Sequence, residues 1–379
     1  MATVLALIFI APTSNLQPPV LASQETDTTA ASKPLPRVVR VCGGGDITLG
    51  TNLDTTWSKL GASRLRTLYG LSDHPDSLIA PLRPLFADAD IVVLNVETAI
   101  GSGFARPKCG PRSRNCYSFR GPPSSAAALR SLGNDSAVVI GNVANNHARD
   151  AGPEGVDTTI AILKRAQVLS TGADTMATPI QLSDSTTIGV LGFYTGDVLT
   201  DARSIAAVRR HVARAVQMYG TVIVTAHVGA EGIGAQRTRD STELFLESKI
   251  DRGNPVAFAN AVFDGGASVI FGHGPHVLRA AEWREQGVVF HSLGNLITYG
   301  PFNNAEPLNR GAVACVDLSG RDVIGADLRP TVQRSPGVVA PDPLRRAHAL
   351  IDSLSALDFP LTGVRVDSWG EVRPARLPD

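Results

Sequence analysis

Residues 38–50 read VVRVCGGGDITLG: an apolar run that stops on three glycines and then on an aspartate, Asp46. Five more runs follow the same plan. They are IVVLNV before Glu97, AVVIGNV before Asn145-Asn146-His147, TVIVTA before His227, SVIF before Gly272-His273 and Pro275-His276, and VVF before His291 and Asn295. Short runs rich in Val and Ile read as strands buried on both faces, and in open α/β sheets ligands sit beyond the carboxyl ends of such strands. The polar residues that end these runs should therefore meet at one rim.

Composition allows a core large enough to hold them. Of 379 residues, 43% are hydrophobic and 18% charged, which marks a folded globular chain with one large α/β domain or two smaller ones. Lys plus Arg and Asp plus Glu each number 35, so the net charge is zero and no electrostatic case exists for a nucleic-acid or anionic-membrane partner. Any preference for phosphate must be local.

The first residues differ from the rest. Val4 to Ile10 (VLALIFI) is a short apolar run, and Val20-Leu21-Ala22 resembles a small-residue cleavage site. Residues 1–37 thus read as an export signal followed by a Thr-, Ser-, Ala- and Pro-rich disordered linker, with an exported, periplasmic or envelope location. The absence of Lys or Arg before the apolar run keeps a mis-assigned start or a plain tail as the alternative. Cys109 and Cys116 bracket a loop-like segment that a disulfide could close, the other reading being two loop thiols. Cys42 and Cys315 lie in apolar runs and read as small buried core residues.

Helices are expected over Ser77–Ala89, Ser124–Leu132, Pro153–Ala166, Ser204–Tyr219 and Pro255–Phe263, alternating with strands that include Thr187–Tyr194 and Ala312–Leu318. A last helix, capped at Asp342-Pro343, should run to about Leu357 as a packing element. The expected division is residues 1–37, a main domain over 38–330, and a tail over 331–379.

Asp46, Glu97, Asn146, His227, His273 and His276 form an oxygen and nitrogen ligand set without thiolate, which suits Mn, Fe or Zn, one or two ions per chain. A carboxylate such as Glu97 can bridge two ions that clamp the attacking and leaving oxygens of a phosphoryl displacement. His147, beside Asn146, would then be free to protonate the leaving group or to stabilise charge on the phosphoryl oxygens. Taken singly, each residue has a plainer reading. Asp46 is a turn or cap residue, Glu97 a strand-end acid, Asn145-Asn146 an Asx-turn, and His227 a hydrogen-bonded core imidazole. Five of the eight histidines nevertheless fall just beyond strand ends, and that convergence points to a metal or phosphate site.

The segments Gly45-Asp46-Ile47-Thr48, Leu94-Asn95-Val96-Glu97-Thr98, Ala144-Asn145-Asn146-His147-Ala148-Arg149-Asp150, His227-Val228-Gly229-Ala230-Glu231, Gly272-His273-Gly274-Pro275-His276 and Ser292-Leu293-Gly294-Asn295 occur in that order. Together they resemble the motifs of the CapA-type capsule-synthesis (poly-γ-glutamate) family, which is similar to the calcineurin-like metallophosphoesterases. The resemblance spans about Val38 to Arg329. It implies an α/β fold, a metallophosphoesterase-like layered β-sandwich flanked by helices. It also implies the six ligands named above, with His147 and Asp150 catalytic and Asn145, Glu231 and Asn295 binding substrate. The partner implied is an anionic polymer or a phosphate-ester substrate, with envelope proteins as further partners.

The chain departs from the pattern in four places. Thr48 stands where the enzymes carry a His two residues after the first Asp, and His273 and His276 are three apart rather than two. Val228 replaces a Trp, and His291 replaces an aromatic residue, either as a substitute ligand or as a core substitution. Three classes of function stay open: a metal-dependent hydrolase, a capsule factor that grips an anionic polymer, and an inert metal-binding component of an envelope complex.

Overall fold

The computed structural model describes Met1 and residues 37–375, apart from 51–54, 104–108, 110–116 and 246–248. The expected export signal and most of its linker lie outside the described residues, as does Cys116. Residues 36–379 form one compact unit.

The first sheet is built around β1 (Val38–Leu49). On one side run three parallel strands, β2 (Ile91–Val96), β3 (Val138–Asn142) and β4 (Val168–Thr171). A second group follows later in the chain. It begins with β5 (Thr178–Gln181), β6 (Thr187–Tyr194), β7 (Thr221–His227) and β8 (Val269–His273), and ends with β9 (Ala281–Arg284) and β10 (Gly287–Phe290). These pair in the order β9-β10-β8-β7-β6-β5 as the second sheet. The chain then returns to the first sheet, where β11 (Asn295–Tyr299) lies parallel to the end of β1. The antiparallel strands β12 (Arg310–Ser319), β13 (Asp322–Arg334) and β14 (Val338–Pro341) complete its other edge. Strand β13 crosses residue 330, so the last fifty residues begin inside this sheet.

Side-chain alternation explains the layering. Val39, Val41, Ile91, Val93 and Ile140 pack against Val190, Ile223, Val269, Phe271 and Phe290, which places the two sheets face to face. The intervening residues Cys42, Val92, Leu94 and Val139 face the other way, onto Leu65, Leu78, Phe86, Leu129 and Leu163. Those come from α1 (Thr55–Tyr69), the segment 75–86, α2 (Ser124–Arg130) and α3 (Pro153–Arg165). The second sheet's outer face is covered by α4 (Ile205–Tyr219) and α5 (Pro255–Asp264). The result is the layered α/β sandwich flanked by helices that the sequence led us to expect. Close packing around β1 needs glycine: a Cβ on Gly43 would lie 2.4 Å from the Phe271 ring of the second sheet, and one on Gly45 would lie 2.2 Å from the Gly294 carbonyl just before β11 of the first sheet.

Several local readings change. The helix expected at Ser77–Ala89 is a short α-helix, Pro75–Ile79, followed by a 3₁₀ segment, Ala80–Phe86. Pro84 inside it lacks the N–H that an α-helix needs, so the tighter turn replaces it. The C-terminal helix, α6 (Arg346–Asp358), starts later than its Asp342-Pro343 signal because Arg345 adopts a left-handed backbone with φ 50°. Asp342 instead ties the entry turn to the backbone N–H of Leu344 and of Arg346. Cys42 and Cys315 are not separate core residues. They face each other across β1 and β12 and form a disulfide that joins positions 273 residues apart. Cys109 is also disulfide-bonded.

Candidate metal centre

The carboxyl ends of β1, β2, β7 and β8 and the start of β11 open at one rim. Register brings Asp46 beside both Asn95 and Asn295 within the first sheet, and His227 beside His273 within the second. Asp46, Glu97 and His276 each offer a ligand atom within 4.8 Å of the others. Glu97 Oε1 lies 3.8 Å from His227 Nε2 and 3.7 Å from His276 Nε2. His273 Nδ1 lies 3.9 Å from Asp46 Oδ1. His276, in a left-handed backbone with φ 59°, turns its Nδ1 to Asp46 Oδ2 at 2.9 Å and to Asn295 Oδ1 at 3.1 Å.

These groups are almost wholly buried, yet both oxygens of Glu97, His227 Nε2 and His273 Nδ1 have no hydrogen-bond partner. Buried polar atoms are normally paired, so four orphaned polar atoms at this rim need an explanation. Electrostatics add to the demand. Burial pushes the Glu97 carboxyl up, the charge of Asp46 pushes it further, and it stands well above the usual range. Burial also raises Asp46, but the hydrogen bond and charge of His276 overcome this and hold it well below its ordinary value. His276 moves up to about 10, since Glu97, Asp46 and Glu231 outweigh its burial, whereas burial lowers His273 to about 4 and takes His227 well down. Neutral imidazoles, as His227 and His273 are, and clustered carboxylates are what a divalent cation takes as ligands, and an ion would displace the proton that the carboxylates draw to His276, so the residues present fit such an ion.

Asn146 lies half-buried in the loop after β3. Its neighbour His147 is set apart: Nδ1 is 2.6 Å from Asp150 Oδ2, and that oxygen also accepts the Phe119 backbone N–H at 2.7 Å. A carboxylate held in this way fixes the tilt and tautomer of the imidazole. Asn145 is turned inward. Its Nδ2 donates to Val96 O at 3.0 Å and Asn95 Oδ1 at 3.2 Å, while its Oδ1 accepts the His147 backbone N–H at 3.1 Å. Asn295 donates to the carbonyls of His276 and Leu308. Glu231, ion-paired with the buried Arg252, reaches within 3.9 Å of His276 Nε2.

Sequence reading passed over three residues here. Asn95 is fully buried inside β2, donating to Asp46 Oδ1 at 2.7 Å and standing 3.2 Å from His227 Nδ1. An amide in the otherwise apolar run IVVLNV was its signal. Thr225 backs His273, its hydroxyl 2.9 Å from Nε2. Arg252 carried no signal, because the pairing with Glu231 is not local. Of the departures, Thr48 donates to the Glu97 carbonyl at 3.1 Å. His291 stacks on Phe359 at 5.0 Å and puts Nε2 2.9 Å from Glu282 Oε1, a core arrangement.

Residues 40–299 match the family described as bacterial capsule synthesis protein PGA_cap. The capsule biosynthesis protein CapA of Bacillus anthracis is 28% identical over 178 residues, 43% of this chain and 41% of that protein. The PGA biosynthesis protein CapA of Bacillus subtilis (strain 168) is 24% identical over 269 residues, 67% of this chain and 61% of that protein. The matches thus cover less than two thirds of either relative's own length. A Staphylococcus aureus structure described as a 5′-nucleotidase superposes over 81% of this chain and 53% of its own with a TM-score of 0.39 and 13% identity, too little to carry an argument. With its family match running from β1 to the end of β11, this chain belongs to the bacterial capsule synthesis protein family PGA_cap.

Proposed function

We propose that this chain is an exported, envelope-associated protein that holds one or two divalent ions, Mn, Fe or Zn, at its rim and hydrolyses a phosphate ester in the synthesis or export of poly-γ-glutamate or a related anionic polymer. The observation that carries this reading is the convergence of Asp46, Glu97, His227, His273 and His276 from both sheets, with four buried potential ligand atoms left without a hydrogen-bond partner. The Cys42–Cys315 disulfide supports an oxidising compartment, since such bonds are rare in the cytosol.

In this reading Asp46, Glu97, Asn146, His227, His273 and His276 hold the metal, which would supply Lewis acidity toward a phosphoryl oxygen. Asp150 keeps His147 oriented by engaging its Nδ1, so that the protonated ring can give the proton of its other nitrogen to the departing oxygen. Glu231 and Asn295 line the adjoining cleft and orient what enters it. Elemental analysis of desalted protein, joined to hydrolysis of an aryl phosphate with and without chelator, tests the reading. Metal content near zero after incubation with Mn or Zn would overturn it.

Thr48 favours a second reading. Its hydroxyl serves the Glu97 backbone and offers no imidazole, so a rim that binds metal or polymer without turnover, as part of an envelope complex, is the alternative. Metal-loaded protein that turns over no phosphate ester would select it.

A further inference from the structure

The solvent face of α4 carries charge of one sign only. Its sequence, IAAVRRHVARAVQMY, holds no Asp or Glu, and Val208, Val212 and Ala215 are spent on the second sheet, which leaves Arg209, Arg210 and Arg214 exposed. Arg209 and Arg210 have no hydrogen bond or ion pair among the described residues, and Arg214 reaches only the neutral Thr175. Burial holds the His211 imidazole below its ordinary value and the Arg214 and Arg210 charges lower it further, with no carboxylate acting against them. Arg321, exposed on the turn between β12 and β13, adds a guanidinium where it donates to the Gly266 carbonyl at 2.9 Å, near Val216 of α4. On a chain of zero net charge this face makes a local positive field.

The strip has one end at the rim. Strand β6 lies parallel to β7, and Tyr194 at its end meets the His227 ring at 5.7 Å. The Ala202 N–H donates to the Tyr194 carbonyl at 2.9 Å, so α4 starts beside the rim and runs away from it for 15 residues, about 22 Å. Arg210 and Arg214 are one helical turn apart, a spacing of about 6 Å. A γ-linked glutamate residue has five backbone atoms instead of three, so the carboxylates of an extended chain recur at about 5.5–6 Å. A lipid surface fits less well. A helix lying on lipid turns its apolar stripe outward, whereas that of α4 faces the sheet and only Ile205 and Met218, near its two ends, are exposed large apolar residues.

We propose that the outer face of α4 is a docking strip for a polycarboxylate chain, which lies along Arg209, Arg210 and Arg214. This rests on poly-γ-glutamate as the polymer served, and on neither the metal nor the hydrolysis.

Fluorescence anisotropy of labelled deca-γ-glutamate with the full chain as purified tests it. Binding is expected, and it should weaken steeply between about 20 and 200 mM salt as the charges are screened. Changing Arg209, Arg210 and Arg214 together to Gln, a good helix former, should weaken it by about 10-fold, while changing the three to Lys should preserve it. Added chelator should leave it unaltered. The strip is refuted if the Gln variant, with an unchanged thermal melt, binds as the wild type does, if chelator abolishes binding, or if vesicles of phosphatidylglycerol bind where the polymer does not. Hydrolysis of phosphate esters without polymer binding would overturn the strip alone. Polymer held through these arginines by a protein that hydrolyses no phosphate ester would support the strip and remove the hydrolase reading alone.

Discussion

Asp46 Oδ2 lies 2.9 Å from Nδ1 of His276, joining a carboxylate on the central strand of the first sheet to an imidazole that follows β8 of the second. The contact depends on the left-handed backbone at His276, a conformation that non-glycine residues rarely hold and that here brings the ring back over the rim. Asp46 is thus the hinge of the site. The Asp46→Ala and His273→Ala variants should each lose most of the bound metal, read by elemental analysis after desalting, while the wild type retains about one or two ions per chain. Retention of full stoichiometry in both variants would exclude the rim as the binding site.

His147 should separate from the ligands. Its ring is committed to Asp150, so His147→Ala should keep the metal yet lower phosphate-ester turnover by roughly 100- to 10,000-fold, the usual worth of a general acid. Asp150→Asn should also reduce turnover at unchanged metal content, because the amide can present its N–H to the ring and reverse the tautomer. Unimpaired hydrolysis by His147→Ala would show that the proton comes from elsewhere.

Asn95 predicts a different pattern. Its amide touches Asp46, His227 and Asn145 at once, so Asn95→Ala should weaken metal affinity about 10- to 100-fold, as losses behind a ligand do. The same change leaves buried groups unpaired and should destabilise the fold by about 1–3 kcal/mol. Competition with a chromogenic chelator and a thermal melt measure the two effects separately.

A pH effect follows from Glu282. Burial pushes this carboxyl up, but hydrogen bonds from His291, Arg284 and Thr362 prevail and bring it down to about 2. Because the folded value lies below the unfolded one, the stabilisation is complete above about pH 4.5 and disappears as pH falls toward 2. It amounts to about 3 kcal/mol. Denaturant titrations between pH 6 and pH 3 should show the wild type losing stability more steeply than Glu282→Gln, and parallel curves would refute the assignment.

The disulfide gives the last expectation. Under non-reducing conditions Cys42 and Cys315 should resist alkylation in the unfolded protein, and Cys42→Ser with Cys315→Ser should lower stability by about 2–5 kcal/mol. Alkylation of both thiols in protein from the native host would contradict the cross-link and the oxidising compartment together.

Strand periodicity and the residues that end each run were enough to place Asp46, Glu97, His227 and His273 at one rim. A buried strand is a local pattern, and the end of a parallel strand is where polar groups can leave the core. The layered fold was legible for the same reason. The helix Thr55–Tyr69 was not, since its charged and apolar residues, with Gly61 among them, mark no clear stripe. Partnership was beyond the sequence altogether. Nothing near Cys42 names Cys315; only the antiparallel register of β1 with β12 sets them face to face. Asn95 became part of the site because two sheets approach closely enough for one amide to reach a carboxylate and an imidazole. The cleft adjoining the rim likewise joins Phe119 to Phe302, far apart in the chain, through the stacking of loops over the rim. Local sequence specifies which groups leave the core and where; long-range packing decides what they meet.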